Sequence, residues 1–251
     1  MMIPVSVVII VRNEERNLPR LLKSIDFTDD IVVVDSDSTD ATISLARARG
    51  CRCFNRAFDG FGPQKRYAVA QALHDWVLIL DADEEISHQL HRQLLEVDYT
   101  AVNWVYRIRR RSFYLGRWIR FTEWRRDKPL RLFHRTRGNY GDDLVHESLQ
   151  HDARERILPG PLLHYPYDSI GHHLQKIDLY TRLRAADLTR NYGFASLLLR
   201  PPWKLLRNLI LTGGFLDGWQ GLVVSVMASI HEFLKVARVL EKKYARDTYK
   251  Q

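Results

Sequence analysis

The tripeptide Asp81-Ala82-Asp83 follows directly on the apolar run Trp76-Val77-Leu78-Ile79-Leu80. Two carboxylates one small residue apart on a tight turn are hard oxygen donors of the kind Mg2+ or Mn2+ takes, and they leave room in the shell for waters and phosphate oxygens. A cation held by Asp81 and Asp83 would neutralise charge on a departing diphosphate. Polar and acidic clusters recur after two other apolar runs: Arg12-Asn13-Glu14 after Val5–Val11, and Asp35-Ser36-Asp37 after Ile31–Val34. Asp35 can accept from a nucleobase N–H or from ribose hydroxyls, with Asp37 beside it. Glu14 suits either a nucleotide contact or a first helical turn, and Asp40 suits a first turn, where the helix dipole favours a carboxylate. Gln64-Lys65-Arg66 opens a helical pattern after Gly60-Phe61-Gly62-Pro63. A helix N-terminus flanked by the cations Lys65 and Arg66 is a favourable seat for a diphosphate.

These clusters do chemistry together only if the chain brings them together. Val5–Val11 is an almost continuous β-branched run, as expected of a strand buried on both faces. Leu18, Leu21, Leu22 and Ile25 follow at helical spacing, then a second strand over Ile31–Val34. Ser38 to Thr42 offers N-cap residues before a helix over Ile43–Arg49. Cys51–Phe54 reads as a third strand, Pro63–Leu73 as a helix and Trp76–Leu80 as a fourth strand. This alternation predicts an α/β, Rossmann-like domain with a mainly parallel sheet and right-handed crossovers. Ligands of such sheets sit beyond the carboxyl ends of the strands, so the three acidic clusters should converge on one edge.

From about Asn103 to Tyr140 arginines interleave with aromatic residues, which predicts further strands around a mobile loop. Trp118 and Trp124 among those arginines suit stacking on sugar rings and pairing with phosphates. Similar composition binds single-stranded nucleic acid, but the acidic strand ends would repel its backbone, so no nucleic acid is expected. The net charge of +8 fits an anionic partner in general: a nucleotide donor, a phosphorylated glycolipid or an acidic membrane surface.

Beyond Tyr167 the pattern is helical to the end. Trp203–Leu211 is apolar with cations at its start, Gly218–His231 contains no Asp, Glu, Lys or Arg, and Lys235, Arg238, Lys242, Lys243 and Arg246 follow. Such helices either lie in a membrane interface with their cations at head groups, or pack on the catalytic domain or another subunit. No run approaches the ~20 apolar residues of a span. The N-terminus has neither a basic segment nor a small-residue cleavage site. A soluble or monotopic protein is expected, peripheral on the cytoplasmic face of the inner membrane. The two cysteines, Cys51 and Cys53, are too close for an unstrained disulfide and are expected as reduced thiols.

Val7–Leu18, the Val-Val-Val-Asp-Ser-Asp-Ser-Thr-Asp run over Val32–Asp40, Lys65-Arg66 and Leu80–Glu84 together resemble the family 2 glycosyltransferases of GT-A fold, across roughly the first 90 residues. The resemblance implies that the first strand end (Val11, Asn13, Glu14) and Asp35 and Asp37 hold the nucleotide of a sugar nucleotide. It implies too that Asp81, Ala82 and Asp83 bind the diphosphate, with Asp83 and Asp81 as ligands of Mg2+ or Mn2+. Ser36 stands where many members carry a second Asp, which leaves the base contact open between Asp35 and Asp37.

The later chain is similar to the lipopolysaccharide core β-1,4-glucosyltransferases, through Arg131-Leu132-Phe133, Val145-His146-Glu147, Leu163-His164-Tyr165 and Gly213–Gly218. That branch implies inverting transfer of a hexose, glucose from UDP-glucose, to a phosphorylated lipopolysaccharide inner-core acceptor; transfer to a polyprenyl phosphate is the alternative. Glu147 is then the expected base for the acceptor hydroxyl, with Asp142 and Asp143 as rivals. Arg131, Trp118 and Trp124 would meet the acceptor, and His146 or His164 the metal or diphosphate. The Gln-x-x-Arg-Trp signature of processive synthases is missing, which points to transfer of one sugar. The expected division is a catalytic domain over 1–165, with donor half 1–100 and acceptor half 101–165, followed by a helical region over 166–251. Two other classes stay open: a basic nucleic-acid-binding protein, and a sensor that binds donor without turning it over.

Overall fold

A computed structural model describes residues 2–141, 149–186 and 192–248 of the chain. Strands β1 (Val5–Val11), β2 (Asp30–Asp35), β3 (Arg52–Asn55) and β4 (Trp76–Asp81) alternate with helices α1 (Leu18–Lys23), α2 (Thr42–Ala48) and α3 (Phe61–Ala70). β1 lies between β2 and β4, parallel to both, with Val11 opposite Asp35 and Ile10 opposite Asp81. The register therefore aligns all three strand ends on one edge. Side chains of β1 alternate between two cores. Val5, Val7 and Ile9 pack with Leu18, Leu21 and Leu90, while Val8 packs with Val32, Ala68 and Ile79. That two-sided burial is why the run is β-branched throughout, with no polar face.

The chain continues through β5 (Glu84–Ile86), α4 (His88–Leu95), β6 (Trp104–Tyr114), β7 (Arg117–Trp118), β8 (Leu130–His134), β9 (Gly138–Tyr140), β10 (Leu149–His151) and β11 (Arg154–His164). The main sheet runs in the order β3-β2-β1-β4-β8-β6-β11-β5. β8 is antiparallel to both β4 and β6, and β5 is antiparallel to β11. The sheet is thus mixed, with its first four strands parallel. Only β7 and a 3-10 turn at Glu123–Arg126 lie between β6 and β8, and without a long crossover neighbouring strands pair antiparallel. Gly160 lets β11 press on α4: a Cβ there would lie 2.5 Å from the Leu90 amide nitrogen.

The chain forms two compact units, one of residues up to Arg111 with Asp127–His164, the other of Ser112–Arg126 with the chain from Tyr165 onward. The segment 112–126, grouped by sequence with the catalytic domain, thus packs with the helices. Its anchor is Asp217, fully buried, whose carboxylate accepts from the amides of Phe121 at 2.8 Å and Arg120 at 3.1 Å.

In this second unit α5 (Ile170–Ala186), α6 (Phe194–Leu206) and α7 (Gly218–Thr248) pack together, with a π-type turn at Arg207–Leu211 and a short 3-10 turn at Gly214–Asp217. Close approach fixes the α6–α7 connection: a Cβ on Gly221 would lie 1.8 Å from the Gly214 carbonyl oxygen. Lys235 pairs with Glu232, and Arg238 with Asp178. The first pair lies within α7, and the second ties α7 to α5. Among the described residues no helix is long and apolar enough to cross a membrane. Cys51 and Cys53 are free thiols, and burial pushes Cys51 up to about 11, which leaves it protonated and unreactive.

Candidate nucleotide-sugar site

The ends of β1 and β2 are laced together. Asn13 takes a left-handed backbone conformation (φ 56°), donates its amide to Ser38 Oγ at 2.8 Å and accepts from the Thr39 amide at 2.8 Å. Asp37 is likewise left-handed (φ 58°), and it is exposed. Asn and Asp tolerate this region better than other non-glycine residues. Asp40 accepts from the Thr42 and Glu15 amides, a capping role at the start of α2.

Asp35 is buried, and its two carboxylate oxygens each accept from Ser38, one from the hydroxyl and one from the amide at 3.1 Å. A carboxylate offers about four lone-pair sites, so Asp35 keeps capacity for a ligand N–H. Ser36 donates its amide to the Val11 carbonyl at 3.0 Å, and its hydroxyl accepts from Gln64 Nε2 at 2.9 Å. Glu14 accepts from Asn17 Nδ2 at 2.9 Å, and its carbonyl receives the Leu18 amide. Glu14 thus stands ahead of α1, which begins at Leu18.

Asp81 ends β4 inside a cluster of cations. Lys65 Nζ lies 3.2 Å from one carboxylate oxygen, Arg110 Nη2 3.3 Å from the other, and Arg131 bonds both. Burial would raise the Asp81 carboxyl, but Arg131, Lys65 and Arg110 hold it well below the usual carboxylate range. Glu84, fully buried, pairs with Arg131 at 2.7 Å and Arg110 at 3.0 Å and accepts the Asp81 amide at 2.9 Å. Arg110 also reaches Asp127 at 3.2 Å. Three carboxylates thus balance three cations. α3 begins at Phe61, not Pro63, so Lys65 sits a turn inside the helix, buried toward Asp81, while Arg66 is exposed.

Asp83, two residues on, faces a different partner. His164 Nε2 lies 3.6 Å from Asp83 Oδ1. The pairing of β11 with β5 sets His164 opposite Glu84 and so brings the ring beside Asp83. Among the described residues no three His, Cys, Asp or Glu side chains converge on one point. A carboxylate and an imidazole nevertheless fit a divalent ion that completes its shell with waters and substrate phosphates. The nitrogen donor favours the transition ion Mn2+ over Mg2+.

The other expected residues are placed as follows. Val11 and Ala82 are buried at the ends of β1 and β4. Arg131, expected at the acceptor, is 2% exposed and committed to Asp81 and Glu84. Trp118 packs against Phe113 and Tyr165, and Trp124 against Tyr114, Tyr167 and His173, all within the second unit. Glu147, with Asp142, Asp143 and His146, lies outside the described residues. Sequence reasoning misses Arg110, Glu84 and Asp127. Their signal, an arginine on an alternating strand and an acid beside the Asp81–Asp83 turn, is masked by many similar neighbours.

The chain is similar to several known proteins. The sequence model of "Glycosyl transferase family 2" matches residues 6–152. The lipopolysaccharide core biosynthesis glycosyltransferase LpsC of Rhizobium meliloti is 27% identical, across 96% of this chain and 93% of its own. An uncharacterized glycosyltransferase of Rickettsia typhi is also 27% identical, across 94% of this chain and 87% of its own. The mannosyltransferase PcManGT from Pyrobaculum calidifontis, solved in complex with GDP-Man and Mn2+, shares the fold with a TM-score of 0.55 at 16% identity, over 93% of this chain and 88% of that one.

Proposed function

Because the chain belongs to glycosyl transferase family 2, we propose that it moves one glucose from UDP-glucose to a phosphorylated glycolipid of the lipopolysaccharide inner core, with inversion and with a divalent cation, at the cytoplasmic face of the membrane. The observation that carries this reading is the pair Asp83 and His164 at the carboxyl end of β4, beside the Asp81 cluster. Similarity along nearly the whole chain to a lipopolysaccharide core glycosyltransferase supports the acceptor class.

In this reading Asp35 accepts from the nucleobase or ribose, and the left-handed turns at Asn13 and Asp37 shape the nucleotide's seat. Asp83 and His164 hold the cation, which when bound takes up charge on the leaving diphosphate. Asp81 plays a separate part. With Glu84 it pairs with Arg131, Arg110 and Lys65, and this charge-balanced cluster fixes the end of β4 and the turn that carries Asp83. Glu147, carried over from the family resemblance, takes the proton of the acceptor hydroxyl as that oxygen bonds to the anomeric carbon and the bond to the diphosphate breaks.

The test is donor turnover by purified protein across UDP-, GDP- and dTDP-sugars, with Mn2+ or EDTA and a phosphorylated glycolipid acceptor. Metal-dependent UDP release from UDP-glucose that disappears in Asp83→Ala supports the assignment. Turnover of another donor, or turnover indifferent to EDTA, rejects the corresponding part of it.

A further inference from the structure

We infer that the tip joining α6 to α7 is the surface by which the protein docks on an anionic lipid bilayer. This deepens the proposal of a lipid-linked acceptor and rests on it. Around the tip Ile210, Leu211, Phe215, Leu216 and Trp219 are each more than half exposed. Large apolar residues so exposed and so close in sequence mark an interaction surface.

Charge selects the occupant. Between Arg207 and Glu232 the sequence holds one Asp, Glu, Lys or Arg, namely Asp217. That carboxylate is fully buried on the amides of Arg120 and Phe121, so the tip offers no anion to solvent. Cations border it instead. The Arg117 guanidinium donates to the Leu216 carbonyl at 3.3 Å, Arg120 is exposed beside Asp217, and Arg207 opens the π-type turn. An apolar tip rimmed by arginines, with a tryptophan among its apolar residues, matches the boundary between acyl chains and anionic head groups. A second copy of a chain with net charge +8 would instead bring like charges together. The tip is also preformed: Gly213 and Gly218 take positive φ (78° and 69°), and Gly221 lies against the Gly214 carbonyl. Little ordering cost is left to oppose binding.

The experiment is flotation of the full chain with phosphatidylglycerol/phosphatidylethanolamine vesicles, against pure phosphatidylcholine, at low and high salt. The protein should float with the anionic vesicles, less so as salt rises. The combined Leu211→Ser, Phe215→Ser, Trp219→Ser variant should lose about a hundredfold in partitioning. Arg117→Gln with Arg120→Gln should lose about tenfold and flatten the salt dependence. Hydrogen exchange of the unmodified protein on vesicles should slow over residues 206–222, a reading independent of whether the variants fold. Equal flotation by the apolar variant, or unchanged exchange at the tip, overturns the inference. So does a dimer in sedimentation that the same substitutions dissociate and that ignores vesicles. Hydrolysis of UDP-glucose without acceptor, measured alongside, tests the transferase reading separately and should be unaffected in all these variants.

Discussion

His164 Nε2 stands 3.6 Å from Asp83 Oδ1, held there by the antiparallel pairing of β11 with β5. The neighbouring acid, Asp81, points to Arg131, Lys65 and Arg110. Two carboxylates one residue apart thus have different surroundings: Asp83 has an imidazole, and Asp81 three fixed cations. A cation added at Asp81 would have to displace or oppose those charges, whereas at Asp83 it meets a donor.

If Asp83 and His164 share the metal, His164→Ala should raise the Mn2+ concentration for half-maximal UDP release about tenfold, with a smaller loss at saturating metal. Asp83→Asn should abolish metal response. Titration of Mn2+ against donor hydrolysis reads both. An unchanged Mn2+ requirement in His164→Ala would remove the histidine from the site.

Arg131 is expected at the acceptor on its family motif, but it is buried between Asp81 and Glu84. Arg131→Met leaves Glu84, fully buried, with Arg110 alone, and should cost about 3 kcal/mol of stability in urea unfolding. Arg131→Lys should keep part of the stability, because an ammonium supplies the charge without the two-pronged geometry. A stable Arg131→Met protein with only a raised acceptor KM would restore the acceptor role.

His173 stacks on Tyr167 at 3.7 Å and bonds the Tyr114 hydroxyl at 3.1 Å. Burial, then the nearby His231, His172 and Lys176, pulls its pKa down to about 4. The unfolded chain takes up this proton near pH 6.5, the folded chain only near 4. Stability is therefore full above about pH 6.5 and falls as pH drops toward 4, by about 3 kcal/mol in total from this group. Thermal unfolding between pH 7 and 4.5 should show the loss, and His173→Gln should show less of it.

The arrangement of the first four strands is legible in the sequence because its signals are local. β-branched runs name the strands, and the acids that end them fall on one edge once β1, β2 and β4 pair in parallel. What is not legible depends on pairing between distant segments. His164 meets Asp83 through a strand register that no short window encodes. Lys65 reads as a cation at a helix N-terminus, whereas α3 starts earlier, at Phe61, and turns it inward to Asp81. Residues 112–126 read as part of the catalytic domain, because the buried carboxylate that captures them, Asp217, comes about a hundred residues later.

Asp217 gives that capture a measurable weight. Its carboxylate receives the amides of Arg120 and Phe121 with no solvent contact. Neighbouring Thr122 takes a left-handed backbone (φ 64°), a conformation costly for a β-branched residue and held only by its surroundings. Asp217→Ala leaves two part-buried amides without this acceptor and should cost about 1–2 kcal/mol. Asp217→Asn keeps a side-chain oxygen and should cost less. Amide exchange at 120–122 should quicken in Asp217→Ala while β1 and β4 stay protected, because those strands belong to the other unit. Unchanged exchange at Arg120 and Phe121 would show that some other contact holds the segment.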